Sequence, residues 1–154
     1  MLVPVSIPSA PVVPEELLSV TGSPVDGRGR VVVAVRGEVD AYTAPLLEAC
    51  LEGQVARRKV RTVVVDLEEV THLGAVGIAV LLRVRRRCLS RGTRLVVRTG
   101  GQRRAQLPLE LAGLAQLVSE EEGARRPARR GPVGGAAGHR GAADPPVRVR
   151  AVLQ

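Results

Sequence analysis

Apolar residues change their spacing along this chain, from strand-like runs to helix-like repeats. Val63, Val64 and Val65 form a short continuous apolar run, which is typical of a strand buried on both faces. From Gly74 onwards the apolar residues recur at helical spacing, which predicts a helix over about 75–90 that stops at Gly92. A further strand is predicted over 93–98, so this part of the chain has the order of a parallel strand–helix–strand unit.

The polar residues of this unit predict where its elements end and which faces they bury. Asp66 should end the strand, because a polar turn at Glu68-Glu69 follows before the loop to the helix. The helix should bury one apolar face and expose a row of arginines. The predicted buried residues are Ile78, Leu81, Leu82 and Leu89, and the predicted exposed ones are Arg83, Arg85, Arg86, Arg87 and Arg91.

The preceding segment predicts a hairpin and a helix. Strands are predicted over 17–21 and 30–36, with Gly, Pro, Ser and Asp turn residues between them, and residues 37–40 should close the second strand. The helix should begin with Thr43 as its N-cap, carry Pro45 in its first turn and end at Gly53.

The segments at either end of this region predict a small domain with flanking chain. Pro108 interrupts the helical pattern of 103–112, so that helix either kinks there or begins near it, and 116–118 could add an edge strand. Residues 1–14 hold four prolines and no charge, which predicts a flexible lead. Residues 120–154 are rich in Gly, Pro, Ala and Arg, which predicts a disordered basic tail.

The predicted fold is therefore one α/β domain over 15–119, with a four- or five-stranded mixed β-sheet and about three packed helices. The chain has 154 residues with no Phe or Trp and one Tyr, so its core must consist of Val, Leu, Ile and Ala. The formal net charge of +8 is uneven, because residues 1–122 carry 16 basic and 14 acidic side chains, whereas 123–154 carry 7 Arg and 1 Asp.

Candidate chemistry is sparse, and we expect no enzyme activity, cofactor, metal or small-molecule substrate. Cys50 and Cys88 are isolated from each other and from histidine, which is typical of reduced thiols in a cytosolic protein. His72 lacks the spacing of a metal ligand, and we interpret it as a loop residue. No segment resembles a signal peptide or a membrane span, so we expect a cytoplasmic protein without membrane insertion. The arginine row lacks aromatic residues for base stacking, so we interpret it as a solvated face and do not expect nucleic acid as a partner.

Several motifs, in order and at matching spacing over about 15–119, resemble those of STAS domains, the anti-sigma-factor antagonists of bacteria. Gly37-Glu38-Val39-Asp40 and Thr43-Ala44-Pro45-Leu46 resemble the family signature G-E-L-D-x-x-T-A-P-x-L. The strand from Val63 to Thr71 resembles V-V-L-D-L-x-x-V-T. The segments 91–95 and 109–114 resemble R-G-G-R-L and L-E-L-x-G-L. The resemblance implies a protein–protein interaction module whose partner is an anti-sigma factor of the kinase type.

The chain departs from the family at the motif that carries its switch. The loop before the second helix in the family contains D-S-S-G or D-S-A-G, whose serine the anti-sigma kinase phosphorylates to release itself. Here the corresponding residues are Gly74, Ala75, Val76 and Gly77, with Val76 at the serine position. No phosphorylation is therefore expected in this loop, although Thr43 and Thr71 carry hydroxyls nearby. The resemblance predicts a partner-binding site at Asp40, Tyr42, Thr43, Gly74, Ala75, Val76 and Gly77.

Within this site we expect Thr43 to cap the first helix, Gly77 to let the second helix start close to the loop, and Ala75 and Val76 to contact the partner.

Two other functions remain open from the sequence. One is an accessory STAS subunit of a lipid-transport ATPase complex. The other is a polyanion-binding protein that uses the arginine row and the tail.

Overall fold

The computed structural model describes residues 13–119, which form three helices and a four-stranded sheet. The predictions for residues 1–12 and for the tail lie outside the described residues. The strands are β1 (Leu18–Gly22), β2 (Arg30–Val39), β3 (Thr62–Leu73) and β4 (Arg94–Arg98). The helices are α1 (Ala44–Val55), α2 (Ala75–Arg91) and α3 (Arg103–Leu111), and a short 3₁₀ helix spans Ala115–Leu117.

The four strands form one mixed sheet in the order β1-β2-β3-β4. The β1–β2 hairpin is antiparallel, with Leu18 opposite Gly37, and β2, β3 and β4 are parallel. This arrangement confirms the predicted α/β class, the hairpin and the parallel β3–α2–β4 unit. Because β2 and β3 are parallel, the turns that follow them lie at the same edge of the sheet.

Strand β3 is longer than predicted and does not end at Asp66. It continues to Leu73, because Leu67, Val70 and Leu73 are buried and supply an apolar face beyond the polar pair Glu68-Glu69. The pairing with β2 shifts register beyond Asp66, which opposes Ala34, so that Glu69 opposes Arg36. This bulge lets exposed carboxylates occupy a strand without moving its apolar residues out of the core.

Strand β2 also extends past the predicted end, through Gly37 to Val39. Gly37 has a φ of 108°, and a Cβ there would lie 2.2 Å from the carbonyl oxygen of Leu17. Only glycine fits this close backbone approach. The next residue, Glu38, donates its N–H to the same Leu17 oxygen at 2.9 Å, which joins the start of β1 to the end of β2.

The core is aliphatic, as predicted, and α1 and α2 pack against each other and against the sheet. Val13 belongs to it, although this residue lies within the segment 1–14 that was predicted as a flexible lead. Two helix predictions are wrong in detail. Gly53 does not end α1, which continues to Val55 because Val55 is buried. Leu89 is 68% exposed, and the core face of α2 instead consists of Gly77, Ile78, Val80, Leu81, Val84 and Cys88.

The C-terminal elements resolve two open predictions. Helix α3 passes through Pro108 rather than beginning near it. Residues 116–118 do not form an edge strand, because a 3₁₀ turn occupies most of this segment and only Val118 pairs with β4, as an isolated bridge to Val97. No helix within residues 13–119 combines the length and apolar composition needed to cross a membrane.

Both cysteines are free thiols inside the helical layer. Cys88 is buried, Cys50 is half-buried, and burial raises the pKa of each thiol, that of Cys88 to about 11. A raised thiol pKa means that little thiolate is present at neutral pH, so neither cysteine has the character of a nucleophile.

Candidate functional site

The candidate site lies where β2 and β3 end side by side. Val39 opposes Leu73 at the last pair of the ladder, and the N–H of Gly74 donates to the carbonyl oxygen of Val39 at 2.8 Å. A Cβ built on Gly74 would lie 4.0 Å from the Cα of Asp40. The turn 40–43, between β2 and α1, and the residues 74–77, which begin α2, are therefore neighbours at one edge of the sheet.

Asp40 organises the first of these turns. Its Oδ1 accepts the N–H of Tyr42 at 2.9 Å and the N–H of Thr43 at 3.0 Å, and its carbonyl oxygen accepts the N–H of Ala44 at 2.9 Å. This is the bonding pattern of a helix N-cap, because a short side-chain oxygen satisfies the N–H groups two and three residues further on. Asp40 therefore starts the helical turn that leads into α1.

Hydrogen bonding lowers the pKa of the Asp40 carboxyl. The N–H of Thr43 contributes most, followed by the Thr43 hydroxyl and the N–H of Tyr42, while the charge of His72 adds a smaller effect and partial desolvation opposes them. Each of these groups favours the ionised form. Asp40 is thus a carboxylate at neutral pH whose oxygen is committed to the backbone.

Thr43 occupies the expected N-cap position but does not cap α1, which corrects the prediction. Its hydroxyl makes no capping hydrogen bond to the helix and instead donates to the carbonyl oxygen of Glu38 at 2.6 Å and accepts the N–H of Asp40 at 3.0 Å. The side chain is 1% exposed. Thr43 therefore holds the turn against the end of β2 from inside, and its side chain cannot contact a partner directly.

Gly77 lets α2 start close to the sheet. A Cβ at this position would lie 2.6 Å from Cγ1 of Val39 and 2.8 Å from Cδ1 of Leu73, which are both buried. Gly74 precedes the helix in an extended conformation, and no side chain caps α2. The first turn of α2 therefore sits directly on the last residues of β2 and β3.

The outer surface of the two turns is apolar and exposed. Tyr42 is 60% exposed and Val76 is 41% exposed, although large apolar side chains are otherwise mostly buried in this domain. Ala75 is exposed beside Val76. The predicted site thus divides into buried positions that set the geometry and three exposed ones, Tyr42, Ala75 and Val76, which we call the edge surface.

One residue near the edge surface was not predicted as part of the site. His72 is exposed on β3 opposite Glu38, and its Nε2 lies 3.4 Å from a Cβ built on Gly74. The sequence placed His72 in a loop, and the register shift in β3 that brings it to this edge leaves no signal in the hydrophobic pattern. Its charge acts on Asp40.

The site does not resemble a metal centre. Within residues 13–119, no group of three or more His, Cys, Asp or Glu side chains is arranged to hold a metal ion. What the edge surface offers chemically is apolar area on a rigid backbone, which suits contact with another protein.

The fold has a counterpart among known families. The family model of the STAS domain matches residues 23–124, which is more than half of the chain. The chain therefore belongs to the STAS family, as its motifs indicated. No curated protein sequence matches it.

Solved structures with the same fold include an anti-sigma factor antagonist from Mycobacterium paratuberculosis. It is 30% identical to this chain over 68% of this chain and 86% of its own, with a TM-score of 0.58. The phosphorylated form of SpoIIAA, a cell fate determinant of Bacillus, is 19% identical over 68% of this chain and 95% of its own, with a TM-score of 0.54. A sulfate transporter family protein from Wolinella succinogenes is 21% identical. That match covers 58% of this chain and 75% of the transporter family protein, with a TM-score of 0.50. The last two likenesses show the fold alone.

Proposed function

We propose that this protein is an anti-sigma-factor antagonist that binds its anti-sigma factor, of the kinase type, through the edge surface and lacks the phosphoserine release switch. The observation that carries the proposal is the exposure of Tyr42, Ala75 and Val76 on the two turns that the family's motifs mark. The 30% identity to a mycobacterial anti-sigma factor antagonist supports it. We expect the complex to form in the bacterial cytoplasm and to involve binding without catalysis.

The edge surface is suited to a stable contact because its backbone is fixed before the partner arrives. Asp40 and Thr43 hold the first turn through four hydrogen bonds to neighbouring backbone groups, and Gly77 seats the second turn on the sheet. A preorganised surface loses less conformational entropy on binding than a mobile one. The apolar side chains on it then supply contact area, and burying them against a partner does not require a charge to be desolvated.

The same surface explains why release by phosphorylation is not expected. Residues 74–77 carry no hydroxyl, and the Thr43 hydroxyl is buried and already bonded to Glu38. A phosphate would add about 1.5 to 2 negative charges at the contact. The exposed Thr71 hydroxyl lies on β3, outside this loop. Without an acceptor within residues 74–77, this antagonist should bind its partner irrespective of the kinase activity of that partner.

We test the surface by replacing Val76 with Asp and titrating the variant against each purified anti-sigma factor of the source genome by calorimetry. Val76→Asp places an unpaired carboxylate in the centre of the contact, and we expect the Kd to rise by about tenfold or more. The variant should stay folded, because the first turn of α2 holds no acidic residue and its dipole favours negative charge.

Leu111→Asp is the matched control, since Leu111 is 80% exposed on α3 and lies outside the edge surface. Its Kd should equal that of the parent protein. The proposal is wrong if no anti-sigma factor binds the parent protein, or if Val76→Asp and Leu111→Asp bind as tightly as each other.

A further inference from the structure

Basic side chains collect at the end of the sheet opposite the edge surface. Residues 28–30, 57–61 and 86–94 contain ten of the sixteen Lys and Arg residues of the described chain and no acidic residue. These three segments are far apart in sequence. We call the surface they form the cationic pole.

The topology brings the three segments together. Arg30 and Arg94 begin β2 and β4 on either side of β3, and both pair in register with Thr62. Adjacent strands lie about 4.8 Å apart, so the two arginines start roughly 10 Å from each other. The N–H of Arg94 donates to the carbonyl oxygen of Arg61, and the N–H of Arg61 donates to the carbonyl oxygen of Gly29. The amino ends of β2, β3 and β4 therefore lie side by side at one edge of the sheet.

The two long helices end at the same pole. A guanidinium nitrogen of Arg91, the last residue of α2, lies 3.4 Å from the carbonyl oxygen of Ala56, directly after α1. Arg86 and Arg87 precede it by about one turn and are exposed, as are Arg57, Arg58 and Lys59 in the loop that follows α1. The pole therefore presents cations from both the helical layer and the sheet.

Few anions offset this charge. Asp26 lies next to the pole and offsets one of its positive charges, because its carboxylate accepts the backbone N–H groups of Arg28 and Arg30 and also attracts their side-chain charges. Glu48 is bound to Arg83, further along α2 from the pole. Four of the eleven carboxylates of the described chain, those of Glu38, Asp40, Glu68 and Glu69, lie instead towards the other end of β2 and β3.

We propose that the cationic pole binds the phosphodiester backbone of duplex nucleic acid without reading its sequence. An arginine guanidinium group can donate two parallel hydrogen bonds to the oxygens of one phosphate. Neutralising the phosphates of a duplex also releases the counterions condensed on it, which favours binding. The sequence argued against nucleic acid because aromatic residues are missing. Stacking matters for single strands, whereas a duplex backbone needs only charge at the correct spacing.

The composition of the pole favours a duplex over two other polyanionic partners. A membrane surface would need a broad exposed apolar face, but the apolar face of α2 is buried and only Leu89 is a large exposed hydrophobic residue among these three segments. A second copy of this chain would offer its acidic end, but the carboxylates of Glu69 and Asp66 there are already paired with Arg36 and Arg98, and that of Asp40 accepts backbone N–H groups. That leaves only Glu38 and Glu68 of these carboxylates to meet the ten cations of the pole.

Matched charge removal in the full chain tests the proposal. The pole variant is Arg58→Gln with Arg86→Gln, and the control is Arg103→Gln with Arg104→Gln on α3, so that both lose two exposed cations and keep the same net charge. The probe is a fluorescent 20-base-pair DNA duplex of random sequence, titrated by anisotropy at several salt concentrations. The parent protein should bind with an affinity that falls steeply as salt rises.

In the pole variant the Kd at about 50 mM salt should rise by roughly tenfold, and the slope of log K against log salt should become shallower by about 2. The control variant should bind as the parent protein does, and both should keep the parent melting temperature within about 2 °C, since exposed substitutions disturb folding little. Equal weakening in both variants, which assigns binding to net charge, overturns the proposal. So does binding of phosphatidylserine vesicles or self-association at low salt without binding of the duplex.

Discussion

At the scale of single residues, the positions of the family signature here act mainly by fixing backbone. The carboxylate of Asp40 accepts the N–H groups of Tyr42 and Thr43, and the hydroxyl of Thr43 bonds to backbone groups of Glu38 and Asp40. Both side chains are therefore already occupied by hydrogen bonds within the turn. What they produce is the exposure of Tyr42, the one aromatic residue of the chain, at the end of a rigid turn.

Replacing Asp40 tests this role through the pH dependence of stability. The folded turn lowers the pKa of Asp40 below its usual 3.8, so the carboxylate stabilises the fold above that value and the stabilisation is lost as the pH falls through the lower folded pKa. Asp40→Asn keeps an oxygen acceptor but cannot titrate. The parent protein should therefore melt at a higher temperature than Asp40→Asn at pH 7, and the gap should shrink as the pH is lowered to about 2.5.

Asp40→Ala, which removes the acceptor as well as the charge, should melt below Asp40→Asn at neutral pH. The measurement is thermal unfolding followed by circular dichroism at a series of pH values. Asp26 and Glu48, whose pKa values are also lowered, are unchanged in all three proteins and cancel in the comparison. A gap that stays constant across the pH series would show that the Asp40 carboxylate does not hold the turn.

At the scale of elements, the contact between α2 and the sheet sets the position of the edge surface. The helix begins immediately after β3, and its first buried residue is Gly77, against Val39 and Leu73. Any side chain at that position would push the start of α2 away from the ends of β2 and β3. The turn that carries Val76 would then move relative to the turn that carries Tyr42.

A pair of glycine substitutions separates this packing effect from helix propensity. Gly77→Ala should destabilise the domain by about 1–3 kcal/mol, because buried β-branched and leucine side chains must shift to admit a methyl group. Gly53→Ala, inside α1 with nothing within 4 Å of a new Cβ, should instead stabilise it by about 0.5–1 kcal/mol. Urea unfolding monitored by circular dichroism measures both. Equal effects of the two substitutions would contradict the packing role assigned to Gly77.

The elements also show what the sequence could and could not predict. The apolar runs located the four strands and three α-helices of the described residues, because burial on one face imposes the periods of two and 3.6 residues. They failed where a bulge lets polar residues continue a strand, as at Glu68-Glu69 in β3, and where a helix passes a glycine, as at Gly53, and they left open whether α3 passes Pro108 or begins near it. These exceptions depend on contacts with distant residues, which local patterns do not contain.

At the scale of the whole molecule, the domain has two ends of different character. The carboxyl ends of β2 and β3 carry the apolar edge surface, while the amino ends of β2, β3 and β4 carry the cationic pole. The motifs predicted the first, because they lie in two short segments. They did not predict the second, because the cations come from segments that only the strand register brings together. Since the two surfaces lie at opposite ends of the strands, the proposed partners can bind independently.

The claim that binding has no covalent release is tested most directly by measuring the Kd for the anti-sigma kinase before and after incubation with ATP and magnesium. We expect the same Kd in both conditions and no phosphate on the parent protein by intact mass spectrometry. The variant Gly74→Asp with Val76→Ser, which returns an acidic residue and a hydroxyl to the loop, should gain phosphate and lose affinity under the same treatment. Phosphate on any residue of 71–77 in the parent protein, together with weaker binding after ATP, would show that binding does have a covalent release.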